Sequence, residues 1–257
     1  MRYLFLALSG LLVWAAVAAA QQPPAQAPKA QPAPDPNAKK LDELLQRWEK
    51  EMKSVNTLSL DCTRTEKNNT FQYQDVFVGS AKYMKPNLAI LEMKKKDKPA
   101  VFEKFICTGT FLYQYAPQQK EIRAHQLAAK KDGQVSDDNF LSFLFGMKAE
   151  EAKRRYELKW VKEDRYYVYV KVLPKAAADK ADFQEARLVL NKDNCMPRQL
   201  WFRQPNGDET TWEIPKIQNN VKLERTEFTA PSVPTGWKMV QVPKTTGSTP
   251  NVYRPKQ

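Results

Sequence analysis

Hydrophobic positions along the chain recur with two periods. From Leu41 to Val55 they fall at threes and fours, at Leu41, Leu44, Leu45, Trp48, Met52 and Val55. That spacing makes one apolar stripe on an amphipathic helix. Asp35-Pro36 ahead of it supplies an N-cap residue and a proline at the first helical position, and the pattern predicts an end near Ser54. The period then becomes two. Leu58, Leu60 and Cys62 alternate with Ser59, Asp61 and Thr63. After a turn at Asn68-Asn69, the residues Phe71, Tyr73, Phe77, Gly79, Ala81 and Tyr83 share one face of a long strand, which Lys85-Pro86-Asn87 breaks. Strands follow at Leu88–Met93, Val101–Thr108, Thr110–Tyr115 and Glu121–Leu127. No helix fits between them, so they must form an antiparallel meander.

Ser136-Asp137-Asp138 is a helix start, with acids in the first turn. The helix would carry Phe140, Leu141, Phe143, Leu144 and Phe145 and close at Gly146. Apolar nearly all round, it must be buried on more than one side. Ala149–Arg155 adds a short basic helical turn. Alternation resumes at Tyr156–Trp160, Tyr166–Leu173, Phe183–Leu190, Arg198–Arg203, Asp208–Ile214 and Val221–Phe228, with Asn206-Gly207-Asp208 as a hairpin turn. Pro231, Pro234 and Gly236 are expected to end the sheet. The expected class is α+β, mainly β with a few helices and about 11 or 12 strands. Strands of this length and number must close, or curl around something that covers the concave face.

Composition sets the compartment. Residues 1–20 read as a secretory signal peptide: Arg2, the apolar run Tyr3–Val17, then Ala18-Ala19-Ala20 as the cleavage pattern. The absence of a cysteine at that point argues against a lipid anchor. Residues 21–37 are a Pro/Ala/Gln-rich linker, 38–241 form one domain and 242–257 a loose basic tail. The mature protein is expected to be periplasmic or extracellular, with cleavage near Ala20. The formal charge of +12 then suits a solvated basic surface, or peripheral contact with anionic envelope material, rather than nucleic acid. Lys94-Lys95-Lys96 and Lys98 read as a solvated hairpin tip. Cys62, Cys107 and Cys195 leave at least one thiol unpaired. In a simple meander Cys62 and Cys107 stand roughly 14 Å apart, at ~4.8 Å per strand, beyond disulfide reach. They lack metal-ligand spacing. His125, the sole histidine, shares a strand face with Glu121 and Arg123 and lacks the oriented partners of an acid–base group. No nucleophile elbow or phosphate loop occurs. The reading is a non-enzyme with no cofactor and no metal.

The order of landmarks resembles the periplasmic lipoprotein carrier family (LolA-type) and its sister outer-membrane receptor (LolB-type). Gly79-Ser-Ala-Lys-Tyr-Met-Lys85-Pro86-Asn87-Leu88 is similar to the family's strand leading into a basic-Pro pair. Thr108-Gly109-Thr-Phe-Leu-Tyr113-Gln-Tyr115-Ala-Pro117 resembles its Asp-Gly-x-x-Leu-x-x-Tyr-x-Pro hairpin. Leu173-Pro174-Lys175 and Phe228-Thr-Ala-Pro231 to Gly236 resemble its later strand ends. Lys85 stands where the carrier has arginine, and Thr108 where it has aspartate. The resemblance implies an unclosed antiparallel β-barrel covered by the N-terminal helix and, over Asn139–Gly146, a short lid helix. It implies an apolar concavity for lipid or an acylated protein.

Candidate lining residues are Leu58, Leu60, Tyr83, Phe105, Tyr113, Phe140, Phe143, Leu144, Trp160, Leu188, Phe202 and Trp212, with Lys85 as a rim charge. The Phe140–Phe145 helix would be either permanent core or a movable cover. The chain would thus carry or sense lipid or acylated protein in the envelope, as a monomer. The alternative is a non-transporting interaction, sensor or structural module with a self-filled barrel and an envelope protein as partner.

Overall fold

The computed structural model describes residues 36–127 and 148–242. The proposed signal peptide, the linker up to residue 35, the tail from residue 243 and the Asn139–Gly146 helix lie outside the described residues. Helix α1 (Ala38–Ser54) buries Leu41, Leu44, Leu45, Trp48 and Met52, the stripe that the spacing predicts. It begins two residues later than Pro36, with Asn37 as N-cap, whose carbonyl accepts from Leu41 N at 2.9 Å. The hairpin strands are β1 (Thr57–Asn68), β2 (Tyr73–Met84), β3 (Leu88–Lys95), β4 (Phe102–Thr108), β5 (Phe111–Ala116) and β6 (Glu121–Gln126). After α2 (Ala149–Arg155) come β7 (Tyr156–Glu163), β8 (Tyr167–Pro174), a further helix α3 (Ala177–Asp182), β9 (Glu185–Asn191), β10 (Pro197–Arg203), β11 (Glu209–Asn219) and β12 (Lys238–Val242).

These strands form one sheet in the order β12-β6-β5-β4-β3-β2-β1-β11-β10-β9-β8-β7. Its end strands do not pair, so the barrel is unclosed. Every neighbouring pair is antiparallel except β12 on β6. Register assigns the faces. Leu58 opposes Tyr83, which opposes Ala89, which opposes Cys107, which opposes Leu112. In the other direction Arg64 opposes Trp212, then Leu200, Leu188 and Val170. These residues mark the inner face. The main core lies there: α1 and α2 pack with β1, β2 and β7 to β11. α1 runs across strand ends: Lys40 pairs with Glu163 at the end of β7, Arg47 donates to the Asp193 carbonyl in the β9–β10 turn, and Asn56 N donates to Asn220 Oδ1 past β11.

A smaller core of Ile106, Tyr113, Ile122 and Ala124 lies on the outer face. Two expectations change here. Val221–Phe228 is not a strand: residues 220–237 form a strap over the outer face. A 3-10 turn (Arg225–Phe228) meets β3 and β4, Lys82 pairs with Glu227, and Phe228 is buried. The sheet also does not end at Gly236, because β12 rejoins it beside β6. β11 runs past Ile214 through Pro215 to Asn219. The pairing of β1 with β11 shifts register between Asp61 and Thr63, and this bulge accommodates the proline.

Candidate functional site

The inner face is built from alternation alone. Side chains two apart on each strand point the same way, so six of the twelve sequence-predicted lining residues meet in one cluster: Leu58, Leu60, Tyr83, Leu188, Phe202 and Trp212. Trp160 packs against it, half-buried, with the Lys40 ammonium 5.7 Å from its ring centroid. Phe105 is buried on β4, on the inner side of the Leu91 and Gln114 pairs. Tyr113 is not with them: one residue out of phase with Leu112, it belongs to the outer core. Phe140, Phe143 and Leu144 lie outside the described residues.

The two halves of the inner face differ. Over β7 to β11 the stripe of α1 fills it, Trp48 being only 2% exposed. Over β4 to β6 the inner positions are Phe105, Cys107, Leu112 and Gln114, then Arg123 and His125. Phe105 and Leu112 are buried, and among the described residues neither core cluster includes them. His125 is half-buried; its Nε2 is buried and has no hydrogen-bond partner among the described residues. Burial, with repulsion from Arg123, lowers its pKa from 6.5. The three thiols are free; burial pushes Cys62 up to about 12 and also raises Cys107 and Cys195. None is a poised nucleophile.

Lys85, the expected rim charge, precedes a cis bond to Pro86. Its Nζ donates to the Lys53 carbonyl at 2.6 Å, so the ammonium caps the C-terminal turn of α1 rather than standing free. Burial lowers its pKa.

Sequence reasoning missed Arg64. It is 4% exposed, on the inner face of β1. Both terminal nitrogens donate to Glu103 on β4, at 2.8 Å each, and Nε lies 2.9 Å from Glu66 Oε1. The guanidinium sits 4.5 Å from the Phe77 ring centroid and 5.3 Å from that of Trp212. β1 and β4 are three strands apart, roughly 14 Å on a flat sheet. The two long side chains therefore reach toward each other over the inner face of β2 and β3, bridging β1 to β4. Burial raises the pKa of Glu66 despite Arg64. The available signal was alternation: Arg64 continues the face of Leu58, Leu60 and Cys62.

Comparison with known proteins agrees with this architecture. No curated relative matches the sequence. An uncharacterized conserved protein from Thermus thermophilus is 10% identical, with a TM-score of 0.50 over 79% of this chain and 99% of that one; it shares the fold. Weaker likenesses include a putative outer membrane lipoprotein-sorting protein domain from Vibrio parahaemolyticus (10% identity, TM-score 0.39, 75% and 97% coverage) and the MucA/MucB complex of Pseudomonas aeruginosa (11%, 0.43, 75% and 61%). The model of the outer membrane lipoprotein carrier protein LolA matches residues 53–231. With most of the chain matched and an unclosed, helix-covered sheet to match it, this protein belongs to the LolA family.

Proposed function

We propose that the protein is an exported envelope component that holds acyl chains of a lipid or an acylated protein against the inner face of its sheet. The observation that carries this reading is the division of that face. α1 fills the β7 to β11 side, whereas Phe105, Cys107 and Leu112 of β4 and β5 lie on the same face outside the cluster that α1 covers. Each methylene moved there from water contributes about 0.8 kcal/mol, so a single long acyl chain would suffice for firm retention. Family membership supports the same ligand class. No titratable pair is arranged for chemistry among the described residues, which favours carriage or sensing over catalysis.

The test is native purification from the envelope, followed by organic extraction and mass spectrometry, with titration of a fluorescent fatty-acyl probe. Bound acyl lipid is expected, and Leu112→Arg, which places a charge on the inner face of β5, should weaken probe binding at least 10-fold. Failure to recover lipid together with failure to bind the probe would overturn the proposal. That result would favour the second reading, an interaction module with a self-filled barrel, which the packing of α1 into the β7 to β11 side supports.

A further inference from the structure

Two neighbouring hairpins carry features that the inner face does not use. At the β1–β2 turn Phe71 is 76% exposed and Tyr73 is 52% exposed. The turn is braced. Phe71 N donates to Asn68 Oδ1 at 2.7 Å, and Gln72, at φ 55°, donates from Nε2 to the Asn69 carbonyl at 2.6 Å. The β10–β11 turn grips the same residues: Asp208 accepts from Asn69 N at 3.0 Å and from Asn68 Nδ2 at 3.2 Å. An aromatic ring is therefore held out in water by a well-bonded turn.

The β3–β4 turn lies alongside, tied to β2 by Lys96 N donating to the Val76 carbonyl at 2.7 Å. It carries exposed Lys96 and Lys98, and β1 adds exposed Lys67. Lys95 is answered by Asp75 at 2.7 Å, and Asp97 stands among the lysines. Among the described residues Lys67, Lys96 and Lys98 have no carboxylate within ion-pair distance. Stable protein partners usually cover about 800 Å² and roughly 20–30 residues per side, against the five exposed side chains Phe71, Tyr73, Lys67, Lys96 and Lys98 at these tips. A projecting ring flanked by long cations suits a lipid–water interface instead, where the ring enters the headgroup layer and ammonium groups meet lipid phosphates.

We propose that this end of the molecule docks on an anionic lipid surface, with Phe71 and Tyr73 entering the headgroup layer and Lys67, Lys96 and Lys98 contacting phosphates. This docking stands apart from the acyl-holding reading. The test is co-sedimentation of the exported protein with phosphatidylethanolamine/phosphatidylglycerol vesicles and with phosphatidylcholine vesicles. Binding is expected to the first set only, weakening as salt rises. Phe71→Ser should weaken it about 5-fold, and Lys96→Glu with Lys98→Glu at least about 20-fold, at about 5-fold per lysine lost. Lys222→Glu, distant on the strap, should leave it unchanged. All these positions are exposed, so thermal midpoints should match the parent, and acyl-probe uptake should be retained. Equal binding to both vesicle types, unchanged binding in both hairpin variants, or a Phe71-dependent dimer in solution would overturn the proposal.

Discussion

Arg64 shows how much one side chain can organise in a curled sheet. Its charge is withdrawn from water, stacked on Phe77 and Trp212 and paired with Glu103 and Glu66. Removing Arg64 strips the guanidinium from between the Phe77 and Trp212 rings and leaves the half-buried Glu103 and Glu66 without their shared cation. Arg64→Ala is expected to lower the unfolding free energy by about 3 kcal/mol. Arg64→Met combined with Glu103→Gln should recover most of that loss, as urea titration would measure. His125 provides a pH signature. Burial holds its folded pKa below the ordinary 6.5. Between those two values the unfolded chain binds more protons, so stability falls as pH drops through 6.5 and levels off once the folded imidazole is protonated. Urea midpoints at pH 7 and 5 should differ less in His125→Gln than in the parent. The sequence placed His125 correctly beside Glu121 and Arg123. It did not reveal the burial, which depends on packing across strands.

Among the elements, local pattern succeeded where each segment serves one purpose and failed where a neighbour overrides it. The stripe of α1 and the long alternations of β1 and β2 were readable because burial on one side fixes their period. β12 was hidden: it has five residues, follows Pro231, Pro234 and Gly236, and exists because the edge of β6 is available. Residues 221–228 alternate like a strand, yet the strap places them over β3 and β4, where Phe228 and Lys82–Glu227 hold them. Helix α3 was missed as well; it is short, and its buried Asp179 is fixed from outside by Arg155 at 2.6 Å. Gly79 is the clearest constraint on a single element. A methyl group there would collide with the Glu92 carbonyl and stand 2.7 Å from Met93 Sδ and 2.8 Å from Met93 Cα. Since backbone must yield, Gly79→Ala should cost about 3 kcal/mol, visible as a large fall in thermal midpoint. The glycine permits β2 and β3 to approach closely beneath Cys62, where Sγ lies 3.4 Å from Met93 Sδ.

For the whole molecule, the sheet is a trough with two cores on opposite faces, one under α1 and one under the strap. The unclosed form leaves two terminal strands. β7 is lined on its outer positions by Glu157, Lys159 and Lys162, charges that discourage pairing with another chain. β6 carries Ile122 and Ala124 toward the outer core and would be a far more adhesive border. Its cover is β12, supplied by the carboxyl-terminal side of the same chain. That arrangement makes edge protection a matter of chain continuity. A proteolytic cut in residues 220–237 would free β12 to leave and expose β6 as a template, whereas in the intact chain the strap keeps its effective concentration high. The tether also creates the one exchange that conserves every contact: two copies could trade β12 strands, each healing the other's border. The parallel strand at the end of this sheet thus decides whether the trough stays solitary.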